Sequence, residues 1–213
     1  MTGVKHMKWW GWGVEGVAFN HENKPGMAPF VKMAVGLDLT KPAIAPIAFD
    51  ELDVPASQLN KELRTKLIAA VGETYVITED MDRVVHTYGK SLRDLLRIRT
   101  NVLPRVPDVI VYPADEDQVR AIVEAAVAAD AVVIPFGGGS NISGSLEPPA
   151  GEKRQIVSLD MGRMNRVLEI DEDSGLARIE AGVLGPDLEQ QLNAKGWPIG
   201  RSPESFPHST LGG

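Results

Sequence analysis

Val132-Val133-Ile134-Pro135-Phe136-Gly137-Gly138-Gly139-Ser140-Asn141 runs from a short, β-branched apolar segment directly into three consecutive glycines. The apolar run predicts a strand. Glycine lacks a Cβ and accepts positive φ, so such a triplet lets successive backbone N–H groups turn inward and form a nest for an anion. A pyrophosphate suits this loop, and Ser140, Asn141 and Ser143 can add side-chain hydrogen bonds. Gly-Gly-Gly alone reads equally well as a surface turn after a strand. Its surroundings separate the two readings. Val109-Ile110-Val111-Tyr112 predicts an earlier strand closed by Pro113, and after Asp115 and Asp117 the positions Val119, Ile122, Val123, Ala126 and Val127 recur at the helical period. Strand, helix and strand within about thirty residues make a βαβ unit with parallel strands. The glycines then sit at the carboxyl end of the second strand, where α/β sheets bind ligands.

Downstream, Ile156-Val157-Ser158-Leu159 resumes a strand, and Arg166-Val167-Leu168-Glu169-Ile170 alternates. Glu172-Asp173-Ser174-Gly175 makes a hairpin to residues 176–181, so this second part is β-rich. Pro186 fits the first position of a helix carrying Leu188 and Leu192, which Gly196 ends. Arg201-Ser202-Pro203-Glu204-Ser205-Phe206-Pro207-His208-Ser209-Thr210-Leu211-Gly212-Gly213 is then a second polar loop ending in glycines. Because domain boundaries normally follow a completed element, this ending reads as a truncation.

Upstream, residues 1–55 lack a sustained period and read as an irregular arm. Trp9, Trp10 and Trp12 cluster within it, and bare indoles in water imply that the arm lies against another surface. Phe30, Met33, Ala34 and Leu37 predict a short helix over 30–39, ended by Pro42 and Pro46. A second helix is expected over 56–71, a third starting near Thr78, and a fourth over 91–99. The basic face of this last one, Arg93, Arg97 and Arg99, is either solvated or turned toward an anionic group or an acidic surface.

Composition narrows the function classes. The 213 residues carry 22 Lys plus Arg against 29 Asp plus Glu, and a net charge of −7 argues against nucleic acid or an anionic membrane as the main partner. No apolar run approaches a membrane-spanning length and the start lacks a secretory pattern, so a soluble, cytoplasmic protein is expected. The absence of cysteine excludes thiolate metal sites, disulfides and catalytic thiols. His6, His21, His86 and His208 are scattered without paired metal spacing, so no metal site is expected.

With both glycine loops in hand, the chain resembles the FAD-binding domain of the vanillyl-alcohol oxidase and p-cresol methylhydroxylase type, in its alkylglycerone-phosphate synthase branch. The carrying residues are Arg105-Val106-Pro107-Asp108-Val109 leading to Pro135-Phe136-Gly137-Gly138-Gly139-Ser140-Asn141. Branch-like segments are Lys8-Trp9-Trp10-Gly11-Trp12-Gly13, Ser158-Leu159-Asp160 with Met164-Asn165-Arg166, and Pro203-Glu204-Ser205 with Ser209-Thr210-Leu211-Gly212-Gly213. The resemblance covers essentially the whole chain. It implies an α+β fold: an irregular and helical arm over 1–104, then a two-lobed FAD-binding domain over 105–213. A small α/β lobe would occupy 107–145, and an incomplete antiparallel lobe would begin near Ile156. FAD would lie between the lobes, its pyrophosphate on residues 135–141 and its second contact on Glu204, Ser205, Phe206, Pro207, His208, Ser209 and Thr210. The branch usually has Asp and Leu-Glu-Phe where this chain has Glu204 and Phe206-Pro207-His208, a departure that falls within the second contact. Ser140 and Asn141 stand where some relatives carry a flavin-linking histidine, which implies noncovalent FAD. The implied activity is the exchange of acyl for alkyl on acyl-dihydroxyacetone phosphate, a lipid substrate, in a homodimer. Its catalytic residues would lie in a later substrate domain. An FAD-linked oxidase or dehydrogenase of a 2-hydroxy acid or alcohol, and a noncatalytic fragment, are the alternatives.

Overall fold

Helices form in this chain where an apolar stripe meets a capping residue, and the caps set their limits. The computed structural model describes residues 2–17, 23–41, 45–200 and 202–213. His21, Pro42 and Arg201 lie outside them. Helix α1 (Met27–Val35) is closed by Gly36, whose φ of 71° lets its N–H return to the Lys32 carbonyl. This stop precedes the prolines expected to end the helix, because glycine enters the left-handed region at no steric cost. Phe30 and Met33 on α1 stay 60% and 79% exposed.

Helix α2 (Lys61–Val71) begins later than expected. The Asn60 side chain caps it by accepting from the Leu63 N–H at 2.8 Å. Ser57, inside the span expected to be helical, instead donates its hydroxyl to the Asp108 carbonyl at 2.8 Å. There follow β1 (Val76–Ile77), α3 (Asp80–Val85) and α4 (Leu92–Arg99), the last capped by Ser91. Strand β2 (Val109–Val111), helix α5 (Glu116–Ala128), capped by Asp115, and strand β3 (Val132–Phe136) form the βαβ unit.

Strand β4 (Ile156–Asp160) revises the expected lobe boundary. It does not open the antiparallel lobe but inserts between β2 and β3, parallel to both, in a sheet of order β1-β2-β4-β3. All five of its residues are buried, as befits a central strand of a parallel sheet covered on both faces. Leu63 and Leu67 of α2 and Ile122 and Ala125 of α5 cover one face of that sheet by packing on Val109, Val111, Val157 and Leu159. Burying each large aliphatic side chain contributes about 1.5–3 kcal/mol. The antiparallel part is the hairpin of β5 (Val167–Asp171) and β6 (Leu176–Ile179), followed by α6 (Gly185–Asn193) with Pro186 in its first turn.

The Arg105-x-x-Asp108 lead-in is a structural lock. The Arg105 guanidinium, 4% exposed, grips both carboxylate oxygens of Asp108 at 2.9 and 2.6 Å and also donates to the Val106 and Arg154 carbonyls. Asp108 in turn accepts from the N–H groups of Gln58 and Ile156, each at 2.7 Å, and so ties the approach to α2 and the start of β4 to one buried side chain. Such pairs persist in the interior because bidentate geometry and further backbone partners offset the desolvation of both charges.

The N-terminal arm lies along the same body. Trp9 is buried with Val84, Tyr88, Ile98, Leu103 and Val106, and its ring meets Phe49 edge-on at 5.7 Å. Trp10 is flanked by the Lys8 ammonium at 4.2 Å and the Arg99 guanidinium at 5.4 Å. The basic face of α4 therefore turns toward protein: Arg97 pairs with Glu147 at 2.7 Å and stacks on Tyr88, while Arg99 donates to the Trp10 carbonyl.

Candidate functional site

Where β3 ends, the glycine loop meets the last loop of the chain. The second loop is drawn in by a ladder against the segment before α6: Leu211 N–H donates to the Val183 carbonyl, Gly212 N–H to the Ala181 carbonyl, and Gly185 N–H to the Ser209 carbonyl. Thr210 bridges antiparallel to Leu184. Two hydroxyl contacts close the seam, Ser140 to Ser209 at 3.2 Å and Ser205 to Ser209 at 2.5 Å.

Each glycine has its own reason. Gly139 alone of the triplet has positive φ, 70°, the left-handed region that favours glycine. A Cβ on Gly137 would strike the Thr210 hydroxyl, and one on Gly138 would strike the His208 backbone carbonyl. The first two glycines thus permit the loops to touch, and the third turns the chain. Gly89, between α3 and α4, serves the loop from behind, since a Cβ there would strike the Asn141 carbonyl.

The loops enclose a cavity of about 330 Å³. It is lined by Pro135, Phe136, Gly137, Gly138, Gly139, Ser140 and Asn141, with Leu146, Met161, Ala181, Thr210 and Gly213 among the opposing walls. Two features leave polar groups open at this wall. The Thr210 side-chain oxygen is buried at this wall without a hydrogen-bond partner among the described residues. The N–H groups of Gly138, Gly139 and Ser140 likewise find no acceptor among them. Open polar groups of this kind, one of them a buried hydroxyl, suit an external partner. The Asn141 side chain is spent internally: its oxygen accepts from the N–H groups of Ser143, Gly144 and Ser145, and its amide donates to Ser143. It shapes the loop from within.

The remaining expected residues divide. Glu204, Ser205, Pro207 and His208 line an adjoining, more apolar hollow of about 500 Å³ together with Trp12, Ser140 and Ile142. Phe206 packs on Gly185 and Ser209 holds the seam, so neither lines either space. Trp12 faces His208 with ring centroids 6.1 Å apart, so the arm supplies a wall here that its sequence position does not suggest. Burial, together with the Lys90 charge, lowers the His208 pKa and favours a neutral ring.

Lys90 was not singled out by sequence. Its N–H donates to the Asn141 carbonyl at 2.6 Å, and its ammonium, 5% exposed as a residue, donates to the Lys8 carbonyl at 3.2 Å. Burial pushes it down to about 8, with Asp94 opposing and Lys8 reinforcing the shift. The Lys90 backbone thus holds the end of the glycine loop, while its side chain carries a cation of adjustable charge to the arm. Its only sequence signal was a lysine after Gly89, indistinguishable from a solvated one.

Among known proteins, the FAD binding domain family matches residues 107–213. The chain is 36% identical to the alkyldihydroxyacetonephosphate synthase of Dictyostelium discoideum over 98% of its own length and 38% of that protein. For the enzyme of the same name from Trypanosoma brucei brucei the values are 34%, 98% and 37%. A solved structure of an alkyldihydroxyacetonephosphate synthase superposes with a TM-score of 0.85 at 33% identity, covering 98% of this chain and 42% of that one. The chain thus spans well under half the length of these relatives. It belongs to the FAD binding domain family and has the fold of the alkyldihydroxyacetonephosphate synthases.

Proposed function

With that membership as premise, we propose that this chain is the FAD-binding part of an enzyme that exchanges the acyl group of acyl-dihydroxyacetone phosphate for an alkyl group. The observation that carries the reading is the open set of donors at one cavity wall, the N–H groups of residues 138–140 and the buried Thr210 hydroxyl. These groups would hold the pyrophosphate of FAD through backbone donors, with Lys90 beneath them as a positive charge. Ser140, Ser205 and Ser209 would keep the two loops in register around it. Trp12, Ile142 and His208 would exclude water from the adjoining apolar hollow. Bound FAD would supply the electron-accepting ring on which the exchange depends.

No cysteine is present and Ser140 and Asn141 follow the glycines, which supports noncovalent attachment. Among the described residues no helix is long and apolar enough to cross a membrane. We extend the reading to a cytoplasmic enzyme that acts on a lipid substrate as a homodimer, the net charge of −7 weighing against an anionic membrane surface as its main partner.

The test is direct. The purified chain is titrated with FAD by absorbance and fluorescence, then precipitated with acid. Saturable binding with all flavin released into the supernatant is expected. Flavin that stays with the precipitate would refute noncovalent attachment, and an absence of binding would refute the site. Assays of the protein with acyl-dihydroxyacetone phosphate plus a fatty alcohol, and separately with 2-hydroxy acids, then decide the reaction class.

A further inference from the structure

His6, His86 and Asp160 come from the arm, the end of α3 and the end of β4, and lie up to 154 positions apart in sequence. Their ligand atoms nonetheless lie within 4.8 Å of one another. The His6 Nε2 is 2.7 Å from the Asp160 Oδ2, and the His86 Nε2 is 2.9 Å from the same oxygen. His86 and Asp160 have no solvent-exposed side chain, and His6 is 16% exposed. Phe136 and Tyr112 wall the cluster, with the Phe136 ring 4.1 Å from that of His86.

The hydrogen-bond pattern of His86 is decisive. Its Nδ1 sits 2.7 Å from the Asp82 carbonyl oxygen, which can only accept, so Nδ1 carries the proton. In the neutral ring Nε2 is then a bare lone pair, yet it faces a carboxylate oxygen. His6 turns a second ring nitrogen to that same oxygen. Protons alone satisfy this arrangement only if one is held between the His86 Nε2 and the Asp160 oxygen inside the buried cluster. A cation between the three atoms satisfies it with both rings neutral. The outer contacts are those that orient metal ligands: a backbone carbonyl fixes the His86 tautomer, and the Gly162 N–H holds the other Asp160 oxygen at 2.7 Å.

We propose that His6 Nε2, His86 Nε2 and Asp160 Oδ2 form a binding site for a divalent transition-metal ion of the zinc class, which pins the N-terminal arm to the sheet behind the glycine loop. Two imidazoles and one carboxylate select zinc, cobalt or nickel over magnesium or calcium. Bonds of about 2.0 Å in a tetrahedral site hold ligand atoms roughly 3.3 Å apart, so loading lengthens the two nitrogen–oxygen separations by about half an ångström and sets the two ring nitrogens at the same spacing. His6 provides that movement, because it rides on the arm. Metal binding displaces any proton from both Nε2 atoms, and its free energy adds to the stability of the docked arm.

The chain, freed of metal by chelation, is dialysed against Zn²⁺ and titrated with Co²⁺ while visible absorption is followed; melting is recorded with Zn²⁺, with Mg²⁺ and with chelator. Retention of Zn²⁺ at one per chain, the intense absorption of four- or five-coordinate Co²⁺, and a rise in melting temperature with Zn²⁺ but not Mg²⁺ are expected. His6→Ala removes a ligand from the partly exposed arm, and its fold is checked by circular dichroism; it should weaken retention at least ~10-fold. Asp160→Asn should do the same. Absence of Zn²⁺ retention by the wild-type chain, or equal retention in His6→Ala, overturns the site and leaves the cluster as a proton-bridged clamp. None of these readouts depends on flavin or on turnover.

Discussion

At the level of single residues, Gly138 shows how a loop is held to a tolerance below one methyl group. Gly138→Ala puts a Cβ against the His208 carbonyl, a backbone atom that cannot swing away, so the two loops must separate. FAD affinity should fall at least ~10-fold, read by fluorescence titration, with only a small change in melting, because the loop lies outside the packed sheet; a displacement near 1 Å is costly at sites that rely on position. Thr210→Val tests the other wall. It replaces a buried hydroxyl that has no protein partner with a methyl of similar size. The free chain should therefore be as stable as wild type or slightly more so, while FAD binding weakens by about 0.5–1.5 kcal/mol. The Arg105–Asp108 pair behaves oppositely. Asp108→Ala leaves a buried guanidinium unpaired and frees two backbone donors, and should cost about 3–5 kcal/mol in urea unfolding.

Elements carry the next set of consequences. The link between α3 and α4 brings Lys90 under the glycine loop, and its charge there has a pH signature. Its folded-state value of about 8 lies below its ordinary 10.5, so the unfolded chain binds the proton more tightly between them. Stability from this group is complete above the unfolded value and is lost as pH falls through about 8. Wild type should gain stability from pH 8 toward 10 relative to Lys90→Met, by at most about 3 kcal/mol, in denaturation curves taken across that range. The packing of α2 on α5 gives a sharper test of the fold. Leu63 is fully buried at their contact with β2 and β4, and Leu63→Ala should cost about 2–5 kcal/mol.

Much of this element layer was legible. The strands β2 and β3, helix α5 and the Asp115 cap followed from spacing and capping residues, because period and cap are properties of neighbouring positions. Places where a distant residue competed were not. Ser57 resembles a helix cap until Asp108, 51 positions away, takes its hydroxyl. Ile156-Val157-Ser158-Leu159 reads as a strand, but its seat between β2 and β3 is set by pairing with residues more than twenty positions away.

For the molecule as a whole, ligand binding and folding are linked. FAD that binds only the folded chain should stabilise it by about 2.7 kcal/mol at 100 times its Kd, a shift of roughly 5–10 °C in melting that Gly138→Ala should cut to about half or less at the same FAD concentration. The same loops that make the cavity join the lobes, through Thr210 and Leu184 on one side and Ser140 and Ser209 on the other. Local order along the chain was enough to mark a glycine loop at the end of a strand, a βαβ unit and a second glycine loop, since glycine freedom and apolar periodicity act over a few residues. The tertiary structure alone decided that Gly137 and Gly138 serve loop contact, that Trp12 walls the site, and that Lys90 lies beneath it. It alone brought His6 and His86 onto Asp160. Those contacts join side chains separated by tens to more than a hundred positions, and their distances are set by the packing of the sheet, helices and arm together.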